Sequence, residues 1–247
     1  MRQQVYRALL SFLFLALAGQ VAAGEVKVAV AANFTAAMKE IAKAFEAETG
    51  YRALVSFGST GKLYTQIIHG APFEVFLAAD QVRPQRLEDE GKASGRFTYA
   101  TGKLVLWSKL PDYVDAEGKV LAEGDFNRLA IANPKTAPYG VAAMEVLSKF
   151  ELDKKLTSKL VRGDSVTQTH QFVASGNAQA GFVALAQVVL RSDGSSWKVP
   201  QDLYTPIRQD AVLLKTGDDN PAAVALISFL KSSRVQSIVR QFGYGTD

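Results

Sequence analysis

Gly58-Ser59-Thr60-Gly61-Lys62 is the run in this chain best suited to meet an anion. A glycine-flanked Ser-Thr at a strand-to-helix turn exposes backbone N–H groups, and the helix macrodipole adds partial positive charge there. Two hydroxyls supply further donors. The run is not a nucleotide-binding P-loop. No glycine stands at the required upstream spacing, and Leu63 replaces the final Ser or Thr. An ordinary helix N-cap is the other reading of the same residues. Three more loops have this character: Ala31-Ala32-Asn33, Thr136-Ala137-Pro138-Tyr139-Gly140 and Asp164-Ser165-Val166. Converging helix N-termini would form a neutral site holding only donors. Such a site suits a fully ionised dianion, which accepts hydrogen bonds and donates none. A protonated phosphate would bring an O–H with no acceptor to meet it. Lys62 is expected to run along its helix into solvent, as most lysines do.

Catalytic constellations are missing. The chain has two histidines, His69 and His170, and no cysteine. It contains no HExxH, CxxC or GxSxG pattern and no paired carboxylates at metal-ligand spacing. Each histidine reads as an isolated, solvated helix residue. An enzyme on this scaffold would need a base near Ser59 or Thr60, and neither histidine is near in sequence. The residues therefore favour binding over catalysis.

The elements that must position these loops follow from periodicity. Val26, Val28 and Val30 alternate as a strand, and a helix opens at Asn33 with Met38, Ile41 and Phe45 on one face. Residues 51–57 and 73–79 read as strands, 62–68 and 80–90 as helices. Further strands are expected at 104–107, 129–132, 180–183 and 211–214. Helices are expected at 140–150, 166–175, from 183 through Leu190, after Asn220-Pro221, and at 234–242. Strands alternating with helices indicate an α/β protein with mainly parallel sheets. Ligands in such sheets bind beyond the carboxyl ends of the strands.

Two units of similar size fit the segment count, with chain crossings near 101–103 and 209–215. Arg2 and Arg7, the apolar run Ala8–Ala18 and the small residues Val21-Ala22-Ala23 read as a cleaved secretory signal, residues 1–23. The apolar run falls short of the ~20 residues a membrane span needs. Net charge is +4 over the whole chain. Setting aside Arg2 and Arg7 lowers it by two, too balanced to argue for nucleic acid.

AVAANFTAAMKEIAKAFEAETG, SFGSTGKLYTQIIHGAPFEVFLAADQ, FTYATGKLVLWS, IANPKTAPYG and ASGNAQAGFVALAQ together resemble the molybdate-binding components of molybdate ABC importers, over essentially the whole chain after the signal. The stretch from Ser56 to Gln81 is the most specific part. The resemblance implies a two-lobe periplasmic binding protein fold of type II, α/β in each lobe. Joined by a hinge at the crossings that the segment count gives, the lobes would be lobe 1 at 24–102 plus 213–247 and lobe 2 at 103–212. The resemblance also implies molybdate or tungstate as ligand, with sulfate the alternative, and no cofactor. The oxyanion would be held between the lobes with no direct metal ligands. Its donors would be Asn33, preceded by Ala32, then Thr60 through N–H and Oγ1, and Tyr139 and Val166 through N–H. Ala184 stands where some members carry a tyrosine, and the Tyr139 side chain is the candidate substitute. A periplasmic monomer serving a membrane permease and its ATPase is the implied setting.

Overall fold

The computed structural model describes residues 24–246, so the segment read as a signal lies outside the described residues. Strand β1 (Glu25–Ala31) leads through a 3-10 turn (Ala32–Phe34) into helix α1 (Thr35–Thr49). Strand β2 (Arg52–Gly58) and helix α2 (Thr60–Ile68) follow, then β3 (Val75–Leu77), α3 (Val82–Asp89) and β4 (Ala93–Gly102). The chain then enters a second sheet with β5 (Leu104–Ser108), the short α4 (Val120–Glu123), β6 (Leu129–Ala132) and α5 (Pro138–Lys149). There it continues through β7 (Leu160–Gly163), α6 (Val166–Ala174), β8 (Ala180–Ala184) and β9 (Ser195–Lys198). It returns along β10 (Ile207–Leu214) and ends in α7 (Pro221–Leu230) and α8 (Ser233–Gln241).

The two five-stranded sheets have the orders β2-β1-β3-β10-β4 and β7-β6-β8-β5-β9. The two-lobe α/β architecture is as expected, and four of the five strands in each sheet run the same way, the fifth making each sheet mixed. β1 pairs parallel with β2 and β3, whereas β10 runs antiparallel to β3 and β4. The second sheet repeats this, with β6 parallel to β7 and β8, and β5 antiparallel to β8 and β9. The antiparallel members are the strands next to the two chain crossings. Residues 207–212 belong to β10 and so lie in the first sheet, and the second crossing falls between Lys198 and Ile207.

Three strands went unread in the sequence: β4, β7 and β9. All three are edge strands. β4 opens with Ala-Ser-Gly-Arg, and β9 is Ser-Ser-Trp-Lys. Edge strands carry polar and small residues because one side faces solvent, which erases the apolar signal. The helix expected from residue 183 through Leu190 is only a 3-10 turn, Leu185–Gln187.

Alternation along β1 sets the core of the first lobe. Val26, Val28 and Val30 face Phe34, Met38, Ile41 and Phe45 of the α1 side together with Leu226 of α7. Ala29 faces the opposite way, onto Leu63, Phe76 and Leu87. In the second lobe Leu104, Leu106 and Ile131 pack on Val146 and Leu147 of α5, while Val105 and Trp107 pack with Val173 of α6 on the other face. Helices on both faces leave the strand ends as the free edges of each sheet. That geometry delivers the loops.

Candidate functional site

The loops that sequence analysis singled out leave the carboxyl ends of neighbouring parallel strands. Ala31 at the end of β1 is in register with Gly58 at the end of β2, and Ala132 of β6 with Gly163 of β7. Each lobe thus offers two adjacent loops. The lobes meet through these loops. Gly61 N, next to Thr60, donates to Thr136 O at 2.8 Å, three residues before Tyr139. Thr167 Oγ1, next to Val166, donates to Ala32 O at 3.2 Å, next to Asn33. Lys62 Nζ pairs with Asp164 Oδ2 at 2.8 Å across the same cleft. Lys62 is therefore not solely solvated. It remains half exposed, but its charge is matched by the opposite lobe.

Ala32, Asn33, Thr60, Tyr139 and Val166 are all buried, none more than 6% exposed. Thr60 and Val166 open α2 and α6, and Tyr139 follows Pro138 at the start of α5. N–H groups in a first helical turn have no intrahelical acceptor. These N–H groups, from both lobes, sit at a buried interface that carries no unmatched charge from Lys62 or Asp164. Chemically the arrangement offers hydrogen-bond donors and no unmatched charge.

The side chains are assigned differently from the N–H groups. Thr60 Oγ1 accepts from Ala79 N at 2.9 Å, which binds α2 to the end of β3. Asn33 Nδ2 is committed inside the protein, donating to Gln209 Oε1 at 2.8 Å and to Tyr244 Oη at 3.1 Å. Tyr244 Oη donates back to Asn33 O at 2.7 Å. Ser165 caps α6, its Oγ accepting from Gln168 N at 3.3 Å.

Ser59, the first of the two hydroxyls in the Gly-Ser-Thr-Gly run, is not among the donors implied by the resemblance. It occupies the N-cap position of α2 in extended backbone, yet its side chain makes no cap bond. Its Oγ is buried without a partner. The N-cap alternative for this run thus fails at the hydroxyl. The signal was present in the Gly-Ser-Thr-Gly motif, but two adjacent hydroxyls cannot be told apart without knowing that one is taken by Ala79.

The Tyr139 hydroxyl points to Gly102, at the first chain crossing. A Cβ on Gly102 would lie 2.2 Å from Tyr139 Oη. Ala184 is fully buried at the end of β8, and its N–H donates to Gln187 Oε1 at 3.0 Å. Burial pushes the Tyr139 hydroxyl well above the usual phenol range, with Gln209 acting the other way, and burial does the same to Tyr99 and Tyr244. All three stay protonated.

The histidines lie apart from these loops. His69 ends α2, with Nδ1 2.7 Å from Thr65 O. His170 is half-buried, contrary to the solvated expectation, and stacks on Trp107 at 4.9 Å between ring centroids. A separate groove of about 430 Å³ also lies between the lobes. Its lining includes Arg83, Pro134, Pro138, Val141 and Ile207, and none of the five residues above.

Residues 26–245 match the family described as bacterial extracellular solute-binding protein. The chain is 58% identical over 228 residues to the molybdate-binding protein ModA of Azotobacter vinelandii, covering 90% of each. It is 53% identical over 237 residues to the molybdate-binding protein ModA of Rhodobacter capsulatus, covering 95% of this chain and 94% of that one. Among solved structures, the periplasmic molybdate-binding protein of Azotobacter vinelandii aligns with a TM-score of 0.87 at 41% identity, over 90% of this chain and 99% of that chain.

Proposed function

The chain belongs to the bacterial extracellular solute-binding protein family, and on that premise we propose that it captures molybdate or tungstate for an ABC importer. It is a binding protein and not an enzyme. One observation carries the choice of ligand class. Loops at helix N-termini from both lobes meet through Gly61 N–Thr136 O and Thr167 Oγ1–Ala32 O, their residues are buried, Lys62 is paired with Asp164, and the Ser59 hydroxyl has no partner. The high identity to proteins named for molybdate supports the particular oxyanion.

In this reading the loop of Asn33 and the loop of Ser59 and Thr60 receive the anion on the first lobe. The second lobe then swings in and adds the N–H groups of Tyr139 and Val166. Closure excludes water, and every hydrogen bond to the anion strengthens in the drier surroundings. The anion's oxygens are the contacted atoms, so no side chain ligates the metal. We place the hinge at Lys103 and in the connection before Ile207. The lobes are then 24–102 with the chain from β10 onward, and the segment between. Residues 1–23 act as the export signal, the protein works as a periplasmic monomer, and a membrane permease with its ATPase receives the loaded form.

A thermal-shift panel of molybdate, tungstate, sulfate, phosphate and chromate tests the reading. Ligands that bind the native state alone raise the melting temperature. Molybdate and tungstate are expected to raise it at concentrations where phosphate does not. A shift with sulfate alone would move the assignment to that anion, and no shift with molybdate or tungstate would refute it.

A further inference from the structure

Gln209 lies fully buried in β10, beside the hinge. Its Oε1 is 2.8 Å from Asn33 Nδ2 and 3.1 Å from the Tyr99 hydroxyl. Those two contacts fix which way the amide faces, so Nε2 points away from them, where it finds no acceptor. The Tyr139 hydroxyl, reaching in from the second lobe, is also buried and unpartnered. The two atoms approach the same spot. A Cβ on Gly102 would be 2.2 Å from Tyr139 Oη and 2.9 Å from Gln209 Nε2. Glycine at 102, the last residue of β4, is what leaves that space open.

A buried donor and a buried acceptor left unpaired near the same spot are costly, and an approach of the two pairs both at once. We propose that Gln209 is a positioning residue whose Nε2 donates to Tyr139 Oη as the lobes close fully. The relay Asn33–Gln209–Tyr139 then ties the anion loop of the first lobe to the anion loop of the second, through the hinge. Tyr139 thus works at both ends, its N–H toward the anion and its hydroxyl toward the hinge. Tyr244 holds the other side of Asn33, and Thr101 N donates to Gly245 O at 2.8 Å, so the C-terminal segment braces the relay. The inference rests on the oxyanion reading above.

The test is release of radiolabelled molybdate from wild type, Tyr139→Phe, Gln209→Met and the double variant, with melting of the unliganded proteins alongside. Tyr139→Phe is expected to speed release about five- to tenfold, because the latch holds the closed form. Its unliganded melting should be unchanged, which a merely structural role would not give. The double variant should release no faster than Gln209→Met alone, since Gln209→Met already removes the bond that Tyr139→Phe would. Wild-type release from Tyr139→Phe, or additive effects in the double variant, would overturn the relay while leaving the oxyanion reading intact. A wild type that takes up neither molybdate nor tungstate overturns that reading, and the relay with it.

Discussion

At the scale of single residues, Ser59 and His170 show what burial does to polar groups. The Ser59 hydroxyl has no protein partner, so replacing it should leave the unliganded fold intact. A hydrogen bond to a charged group contributes about 1.5–3 kcal/mol, which corresponds to roughly 10–150-fold in affinity. Ser59→Ala is therefore expected to weaken molybdate binding by that factor in calorimetric titration, with an unchanged unliganded melting temperature. Equal affinity would remove Ser59 from the site. His170 presents the opposite case. Burial lowers its pKa below the ordinary 6.5, Arg191 acts in the same direction and Asp193 against it. The folded protein thus prefers the neutral ring. Its contribution to stability is complete above the unfolded pKa and is lost as pH falls through the folded value. Melting from about pH 7.5 to about pH 5 should show that loss, and His170→Phe, which keeps an aromatic on Trp107, should flatten it.

At the scale of elements, α2 matters most, because its first turn touches both lobes. Gly61 N bonds to Thr136 O, and a Cβ on Gly61 would stand 3.0 Å from Thr136 Cα and 3.1 Å from Thr136 O. Alanine there raises helix propensity by about 1 kcal/mol. It also pushes the two loops apart, at a cost of roughly 1–3 kcal/mol if the neighbour cannot yield. The two effects act in different states. Gly61→Ala should melt no lower than wild type without ligand, yet bind molybdate several-fold more weakly and scatter X-rays as a more open particle. Unchanged affinity would show that the loops accommodate the methyl. The Lys62–Asp164 pair crosses the same gap, but both side chains are at least half exposed, so it contributes little beside the buried contacts.

At the scale of the whole molecule, two sheets joined by two crossings make a hinge, and ligand energy is realised as closure. The expected thermal shift with molybdate is then a property of the entire fold and grows with the logarithm of ligand concentration. Antiparallel pairing beside the crossings makes this possible. β10 and β4 are bonded along much of their length in the first sheet; the chain leaves β4 at Gly102 for the second sheet and returns into β10 at Ile207. The C-terminal segment closes over the same region through the Thr101–Gly245 bridge. Rigid lobes with the freedom gathered in two short crossings let a small anion bring large surfaces together.

The amino-acid sequence by itself determined the α/β class, the central strands, seven of the eight described helices with their starts within two residues, and the four loops that carry Ala32, Asn33, Thr60, Tyr139 and Val166. Those signals are local: alternating valines, a turn glycine, a proline at a first helical position. It missed β4, β7 and β9 because edge strands share their surface with water and lack an apolar pattern. Only the tertiary structure decided that Thr60 Oγ1 accepts from Ala79 N, that Ser59 Oγ is left without a partner, and that Asn33 Nδ2 turns inward to Gln209 and Tyr244. Partners 19, 176 and 211 residues away make those choices, and no local pattern encodes which of two adjacent hydroxyls a distant N–H will take.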